Sequence, residues 1–419
     1  MHAEIISIGD ELTSGQRLDT NTQWISQRLG ELGIVTRFHT TVADDLAANI
    51  QVFRLAIARA DIVISSGGLG PTADDLTREA IAAAIGRPLV EDADAMAYIA
   101  SLFARRGRPM PERNRVQAQF PAGSRVVHNP NGTAPGIDLS IPREGQPDCR
   151  LFALPGVPAE LFEMWKATVG PALTPEGGPR QVIRHRRIKC FGAGESQLEQ
   201  MLPDLIRRGR EPSVGITVHE ATITLRITSP GETPEACFAA MESTEATIRE
   251  CLGTLVFGEE DDELEHAVAR RLTARGETLA TAEGGTGGLI ARWLTSVPGH
   301  EAWYAGGTIL SNIPERAAGA GVPAELMRTE GAISRKVAAQ MATAAKERFG
   351  ADYGLAITAF PALDPSAASP PKVYLALARQ KGGVPDVAVH ETDYAGHPAI
   401  LKSLAGKRAL NLLRLVLQP

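Results

Sequence analysis

The chain has 419 residues, a formal net charge of −6, a hydrophobic content of 43% and a charged content of 22%. That length predicts two or three domains, and that composition is that of a soluble globular protein. The acidic balance argues against nucleic acid as the main partner, and no apolar run approaches the roughly 18 residues of a membrane span.

Four cysteines (Cys149, Cys190, Cys237, Cys251) lie far apart with no C-x-x-C pair, so neither a disulfide framework nor a zinc site is indicated, and buried thiols are expected. The N-terminus enters a strand within a few residues and lacks a charged segment followed by a long apolar run, so a cytoplasmic location is expected.

In chain order, Ile5 to Ile8 is an apolar run, and Asn21 to Leu32 has helical spacing through Trp24, Ile25, Leu29 and Leu32. Val35 to Val42 reads as a strand, Leu46 to Ala58 as a helix and Ile62 to Ser65 as the next strand. This alternation predicts a parallel, doubly wound sheet covered on both faces, with ligands beyond the carboxyl ends of its strands.

The third strand ends in Gly67, Gly68 and Gly70, followed by Thr72, Asp74 and Asp75 at the mouth of a helix expected to run to about Ile85. A strand that stops in glycines and opens a helix leaves backbone N–H groups for an anion, and carboxylates beside a phosphate site require a divalent cation between them. Thr72-x-x-Asp75 also fits a helix capping box with no chemistry. The other strand ends favour the site: Gly9-Asp10-Glu11, Asp44-Asp45 and Leu154-Pro155-Gly156 reach the same rim. Val90 to Arg115 reads as mostly helical; its arginines Arg105, Arg106, Arg108, Arg113 and Arg115 suit either a solvated face or phosphate contacts.

Pro171 to Pro179 has linker composition. Beyond it Arg186 to Phe191 and Thr222 to Thr228 read as strands, and Ser196 to Arg207 and Glu235 to Cys251 as helices, a small α+β connector and a contact surface between subunits. The run Arg184-His-Arg-Arg187 reads as a solvated strand edge. From about residue 257 a second α/β pattern follows, with helices at Leu264 to Leu272, Leu289 to Leu294 and Val337 to Phe349, and extended stretches at Thr278 to Ala282 and Gly354 to Thr358.

The segments Ser7-Ile-Gly-Asp-Glu-Leu-Thr-Ser-Gly-Gln16, Asp19-Thr-Asn21, Gly67-Gly-Leu-Gly-Pro-Thr-Ala-Asp-Asp-Leu-Thr-Arg78, Asn129-Pro-Asn-Gly-Thr-Ala-Pro-Gly136 and Leu154-Pro-Gly-Val-Pro-Ala-Glu-Leu161 closely resemble the competence/damage-inducible protein A (CinA) family in order and spacing. The resemblance implies a molybdopterin-binding-like domain over 1–170, a small KH-type α+β domain over 171–256 and an amidase-like α/β domain over 257–419. It implies a metal-dependent pyrophosphatase cleaving ADP-ribose to AMP and ribose 5-phosphate. The family's glycine signature falls on Gly67, Gly68 and Gly70, its acid on Asp75, and Asp45 looks like the second acid of the wider fold.

The expected assignments are Asp75, Asp74 and Asp45 as catalytic acids and Asp75, Asp45 and Asp10 as metal ligands. The ion is expected to be magnesium, manganese or cobalt, with potassium as a further candidate. Gly9, Glu11, Gly67, Gly68, Gly70, Thr72, Asn131, Gly132, Pro155 and Gly156 are expected to contact nucleotide or phosphate. A homodimer without nucleic-acid or membrane partners is expected.

The C-terminal stretch Thr281-Ala-Glu-Gly-Gly-Thr-Gly-Gly-Leu-Ile-Ala291 resembles the family's nicotinamide mononucleotide amidase, yet Gly284 and Gly285 stand where the family carries Ser-Cys. Glycine offers no nucleophile. The family's Tyr-Ser-Asn-Glu-Ala-Lys box corresponds to Leu310-Ser-Asn-Ile-Pro-Glu315, and Thr358-Ala-Phe-Pro-Ala362 replaces a glycine-rich segment. Thr286 is a candidate substitute nucleophile, though a threonine at a helix entry is more often a cap. The expectation is therefore an inactive amidase-like domain. The alternatives are a retained deamidase, a non-catalytic nucleotide-binding scaffold and a molybdopterin-handling variant of the N-terminal site.

Overall fold

The computed structural model describes residues 1–174, 181–363, 369–395 and 397–418. The chain divides into two compact units, residues 1–184 with 229–239 and residues 185–228 with 240–419.

In the first unit, β1 (His2–Ile8), β2 (Val35–Val42) and β3 (Ile62–Ser66) alternate with helices Thr20–Glu31 and Leu46–Arg59. A two-stranded antiparallel ribbon, β4 (Leu89–Glu91) with β5 (Gln119–Pro121), follows helix Thr77–Ile85. With β6 (Arg125–Val127), β7 (Gly136–Arg143) and β8 (Gln146–Leu154) the main sheet has the order β2-β1-β3-β8-β7-β6.

Strands β2, β1, β3 and β8 are parallel. The expectation of a parallel sheet is corrected at the far side, where β7 pairs antiparallel with both β8 and β6. Only Glu144 and Gly145 join β7 to β8, and a two-residue link can close a hairpin but cannot carry a parallel crossover. Both faces are covered at the centre of the sheet, which is why β1 and β3 are buried along nearly their whole length without alternation. Ile5 packs with Ile25, Leu29 and Trp165, and Ile6 packs on the other face with Phe53 and Ile57.

In the second unit, β9 (Val182–Cys190), β10 (Ser213–His219), β11 (Thr222–Gly231) and β12 (Val256–Glu259) form a sheet of order β10-β11-β9-β12. Strand β12 pairs with β9 at Ile188 to Cys190, just beyond Arg184 to Arg187. Arg186 pairs with Glu245, and Arg187 with Glu260 and Asp261.

A second sheet follows, built from β13 (Leu279–Glu283), β14 (Tyr304–Ile309), β15 (Tyr353–Ile357), β16 (Lys372–Lys381) and β17 (Val384–Asp393). Its order is β14-β13-β15-β16-β17, with the first three parallel and the last two antiparallel. Its faces are covered by Leu272, Leu410 and Leu413 on one side and by Val337, Met341 and Ala345 on the other.

Of the expected linker, Pro171 to Leu173 are helical and Pro175 to Pro179 lie outside the described residues. The helix expected over Val90 to Arg115 is shorter, spanning Ala93–Arg105, with a separate 3-10 turn at Glu112–Ala118. No helix among the described residues is long and apolar enough to cross a membrane.

Candidate functional site

Because β1, β2, β3 and β8 are parallel, their carboxyl ends share one edge of the first unit, and a cleft of about 490 Å³ opens there. Gly9 and Glu11 line it from the end of β1, and Asp44 from the end of β2. Gly67, Gly68, Gly70, Asp74 and Asp75 line it after β3, and Pro155, Gly156 and Glu160 after β8.

The glycine turn is closely built. Gly67 has φ +110°, and a Cβ there would run into the Ile8 carbonyl oxygen, so only glycine lets the third strand turn this close to the first. The Gly67 N–H donates to the Leu154 carbonyl at 3.0 Å. Asp75 accepts from the N–H of Gly70 at 2.7 Å, from the N–H of Thr72 at 2.9 Å and from the Thr72 hydroxyl. Within the turn this leaves the N–H groups of Gly68 and Leu69 with no protein acceptor among the described residues.

Asp75 is therefore the clasp of the turn, with both carboxylate oxygens engaged by backbone and hydroxyl donors. The helix begins only at Thr77 and has no side-chain cap, so the capping-box reading of Thr72 and Asp75 is corrected: they bond to each other before the helix starts. Thr72 spends its polar groups on that clasp.

Asp45, expected as a catalytic and metal-binding acid, lies elsewhere. It is the N-cap of helix Leu46–Arg59, and its side chain accepts from the Ala48 N–H at 2.8 Å. Its neighbour Asp44 faces the cleft instead. The Asp10 N–H donates to Asp44 at 2.9 Å and the Asp44 N–H donates to Asp10 at 3.1 Å. Burial, followed by the charges of Asp10, Asp74 and Glu11, pushes the Asp44 carboxyl above the usual carboxylate range, against the opposing bond from the Asp10 N–H.

The expected metal set Asp75, Asp45 and Asp10 is not assembled. Among the described residues no three or more His, Cys, Asp or Glu side chains form a metal-holding group. The acids whose charges act on Asp44 are Asp10, Asp74 and Glu11. That arrangement fits magnesium chemistry, in which one or two carboxylates suffice because substrate phosphates and waters complete the shell.

The turn at Asn131 and Gly132 is also reassigned. Both N–H groups donate to Asn129 Oδ1, at 3.1 and 2.9 Å, and Asn129 Nδ2 donates to Glu160 at 2.7 Å. The residues that turn presents to the cleft are Thr133 and Ala134.

Sequence reasoning missed Arg17, the one basic side chain among the residues lining the cleft, and Glu160. It also passed over Arg78. This guanidinium is 1% exposed behind the glycine turn and donates to the Leu69 carbonyl at 2.9 Å. Burial pushes it down to about 10, with Glu79 and Asp75 opposing. Arg105, Arg106, Arg108, Arg113 and Arg115 are exposed and none lines the cleft.

In the second unit, the loop after β13 occupies the amidase-like position. Glu283 is 1% exposed, and its carboxylate accepts from the Thr286 hydroxyl at 2.6 Å and from the N–H groups of Gly288, Ile290 and Ala291 at 3.1, 3.0 and 2.8 Å. Thr286, equally buried, is thereby committed to the loop rather than presented as a nucleophile.

A Cβ on Gly284 would stand 2.6 Å from the Ala359 backbone nitrogen, and one on Gly285 would stand 2.5 Å from Phe360 Cγ. The Phe360 ring stacks on Tyr394 at 4.6 Å. Leu310 is buried, and Glu315 pairs with Arg328 at 2.8 Å.

Three family profiles cover the chain: a probable molybdopterin binding domain over residues 4–175, the damage-inducible protein CinA KH domain over 185–258 and the CinA C-terminal domain over 261–417. A competence-damage inducible protein of Symbiobacterium thermophilum is 40% identical over 392 residues, covering 91% of this chain and 90% of its own. A relative of the same description from Caldicellulosiruptor bescii is 37% identical over 418 residues, covering 99% and 98%. A solved CinA structure of unknown function from Thermoplasma acidophilum is 34% identical and covers 41% of this chain and 98% of its own, with a TM-score of 0.37. The chain belongs, over its full length, to the CinA family, with molybdopterin-binding-like, KH and CinA C-terminal domains in that order.

Proposed function

We propose that the N-terminal cleft hydrolyses a nucleotide pyrophosphate, ADP-ribose to AMP and ribose 5-phosphate, and that the C-terminal domain has no amidase activity. The observation that carries the reading is Asp44, a carboxyl raised by burial and by Asp10, Asp74 and Glu11, in a cleft shared with the unpaired N–H groups of Gly68 and Leu69.

In the proposed reaction a water oxygen attacks one phosphorus and the bond from that phosphorus to the bridging oxygen breaks. Asp44, made more basic by its neighbours, accepts the proton that the water loses. The free N–H groups of Gly68 and Leu69 donate to the phosphate as negative charge grows on it. Arg78, buried behind the turn, holds Leu69 in place and adds positive charge on the same side. Glu11 and Asp74, two further carboxylates lining the cleft, are the residues that would hold a divalent ion, magnesium, manganese or cobalt. Such an ion supplies charge neutralisation on the phosphates and acidifies water.

The absence of amidase activity rests on Gly284 and Gly285, which carry no nucleophile, and on the commitment of the Thr286 hydroxyl to Glu283. A molybdopterin-handling role is a second reading, favoured by the profile match over residues 4–175.

The test is product analysis with purified full-length protein, ADP-ribose and nicotinamide mononucleotide, each with magnesium, manganese, cobalt or chelator. AMP released only with metal, lost in Asp44→Asn, and no ammonia from nicotinamide mononucleotide are expected. Turnover unchanged in Asp44→Asn would sink the assignment, and ammonia release would overturn the amidase statement.

A further inference from the structure

We propose that the amidase-like domain serves as the structural partner of the middle domain, holding its sheet through one polar stripe of the last helix. The two domains then open and close as a single body. This role needs no catalysis in either of them.

Helix Pro398–Val416 carries Lys407, Asn411 and Arg414 at positions i, i+4 and i+7, so the three share one face. A helix face with two cations ordinarily meets water. Here Lys407 is 3% exposed and Arg414 1%. Both reach residues of the middle domain, whose profile match spans 185–258.

At one end of the stripe, Lys407 Nζ donates to Thr222 Oγ1 at 2.7 Å and to Glu263 Oε2 at 3.0 Å. The Thr222 hydroxyl donates in turn to Glu263 at 3.1 Å, which closes a ring of three bonds. Thr222 opens β11 in the middle domain, whereas Glu263 occupies the N-cap of helix Leu264–Arg275 in the C-terminal domain. Lys189 of β9 stands 3.6 Å from the other Glu263 oxygen, so two middle-domain strands meet this one carboxylate.

At the other end, Arg414 Nη1 donates to the Val256 carbonyl at 3.4 Å and Nη2 to the Thr254 carbonyl at 2.6 Å. Its Nε donates to Asn411 Oδ1 at 2.9 Å, which fixes the fork toward the segment entering β12. Gly192 lies against the middle of the stripe: a Cβ there would stand 3.9 Å from Asn411 Nδ2.

Apolar packing runs the same way. Phe191 and Phe257 of the middle domain belong to one buried cluster with Leu264, Leu410, Leu413 and Leu417 of the C-terminal domain. A domain near the roughly 70–80 residues below which one core is marginal gains most from sharing a larger one. Separating the two would leave Lys407 without Thr222 and Arg414 without both carbonyls, and a buried cation that loses its partners is strongly destabilising.

The experiment is native-state hydrogen exchange on full-length wild type, Thr222→Val and Lys407→Ala. In wild type, the slowest amides of β11 and of helix Pro398–Val416 are expected to merge into one opening as denaturant rises; separate openings overturn the proposal. Thr222→Val is expected to speed exchange in helix Pro398–Val416 about tenfold, and Lys407→Ala to speed it in β9 and β11 by at least as much, while β1 and β3 stay unchanged. Faster exchange confined to the domain that carries the substitution, or spread equally into β1 and β3, overturns it. Should Lys407→Ala fail to fold, wild type and Thr222→Val decide the outcome alone.

Discussion

Asp10 and Asp44 exchange backbone-to-carboxylate hydrogen bonds, at 2.9 Å in one direction and 3.1 Å in the other. The bonds tie the end of β1 to the end of β2 and hold two like charges side by side at the rim of the cleft. Asp44, the proposed base, then carries an electrostatic burden.

That burden sets a pH dependence. The folded-state carboxyl of Asp44 is raised by burial and by Asp10, Asp74 and Glu11, so its base form appears at higher pH than for a free aspartate, whose pKa is about 3.9. The acid limb of kcat/KM for ADP-ribose is expected above that value, and Asp10→Asn, which removes the largest like charge on Asp44, is expected to shift it downward. A limb unmoved in Asp10→Asn counts against Asp44 as the base. The stability consequence has the opposite sense. A carboxyl raised on folding contributes its stability below the unfolded-state pKa and loses it as pH rises through the folded value. Asp44→Asn is therefore expected to raise Tm at neutral pH while cutting turnover by about 10²-fold or more.

Asp75 acts through geometry. It receives donors from Gly70 and Thr72, and its removal frees the turn that carries the unpaired N–H groups of Gly68 and Leu69. Asp75→Ala is expected to cost about 1–3 kcal/mol of stability, read by denaturant unfolding. Turnover should fall with it, whereas Asp75→Asn, which keeps one acceptor, should lose less stability. Equal stability of Asp75→Ala and wild type would remove the clasp assignment.

Glu283 has the same role in the second unit, with three backbone donors and one hydroxyl. Glu283→Ala is expected to cost about 3 kcal/mol or more, because several donors lose a charged acceptor at once. Calorimetry of the full chain checks it, the drop falling on the transition of the C-terminal unit.

Gly284→Ser and Gly285→Cys, singly or together, are expected to give no amide release from nicotinamide mononucleotide and to lower stability by about 1–3 kcal/mol each, as overpacked positions do. Gly284 abuts the Ala359 backbone and Gly285 abuts a side chain. Phe360→Gly should therefore relieve Gly285→Cys but not Gly284→Ser. Relief of both would show that the two contacts are not distinct.

Much of the first sheet was legible because each strand and helix carries its own period. Val35 to Val42 formed the strand that its apolar and β-branched residues predict, and Ile62 to Ser65 extended by one residue. The antiparallel turn at Glu144-Gly145 carries a readable hairpin length, but the sequence reading passed over it. The confusion of Asp44 with Asp45 was avoidable: a helix read to start at Leu46 makes the residue just before it the N-cap, so the preceding aspartate was the free one. Arg17 was not legible in the same way: it gains its place from a loop that returns to Glu11, which no hydrophobic period marks.

The packing around Gly284 and Gly285 also limits what can be engineered there. Phe360 and the backbone at Ala359 stand against the glycines, so a serine or cysteine placed there meets an occupied space. A side chain at Gly285 needs only the Phe360 ring to give way, whereas one at Gly284 needs the backbone of the 358–359 segment to move. The two positions therefore call for different second changes, a substitution at one and a rebuilt loop at the other.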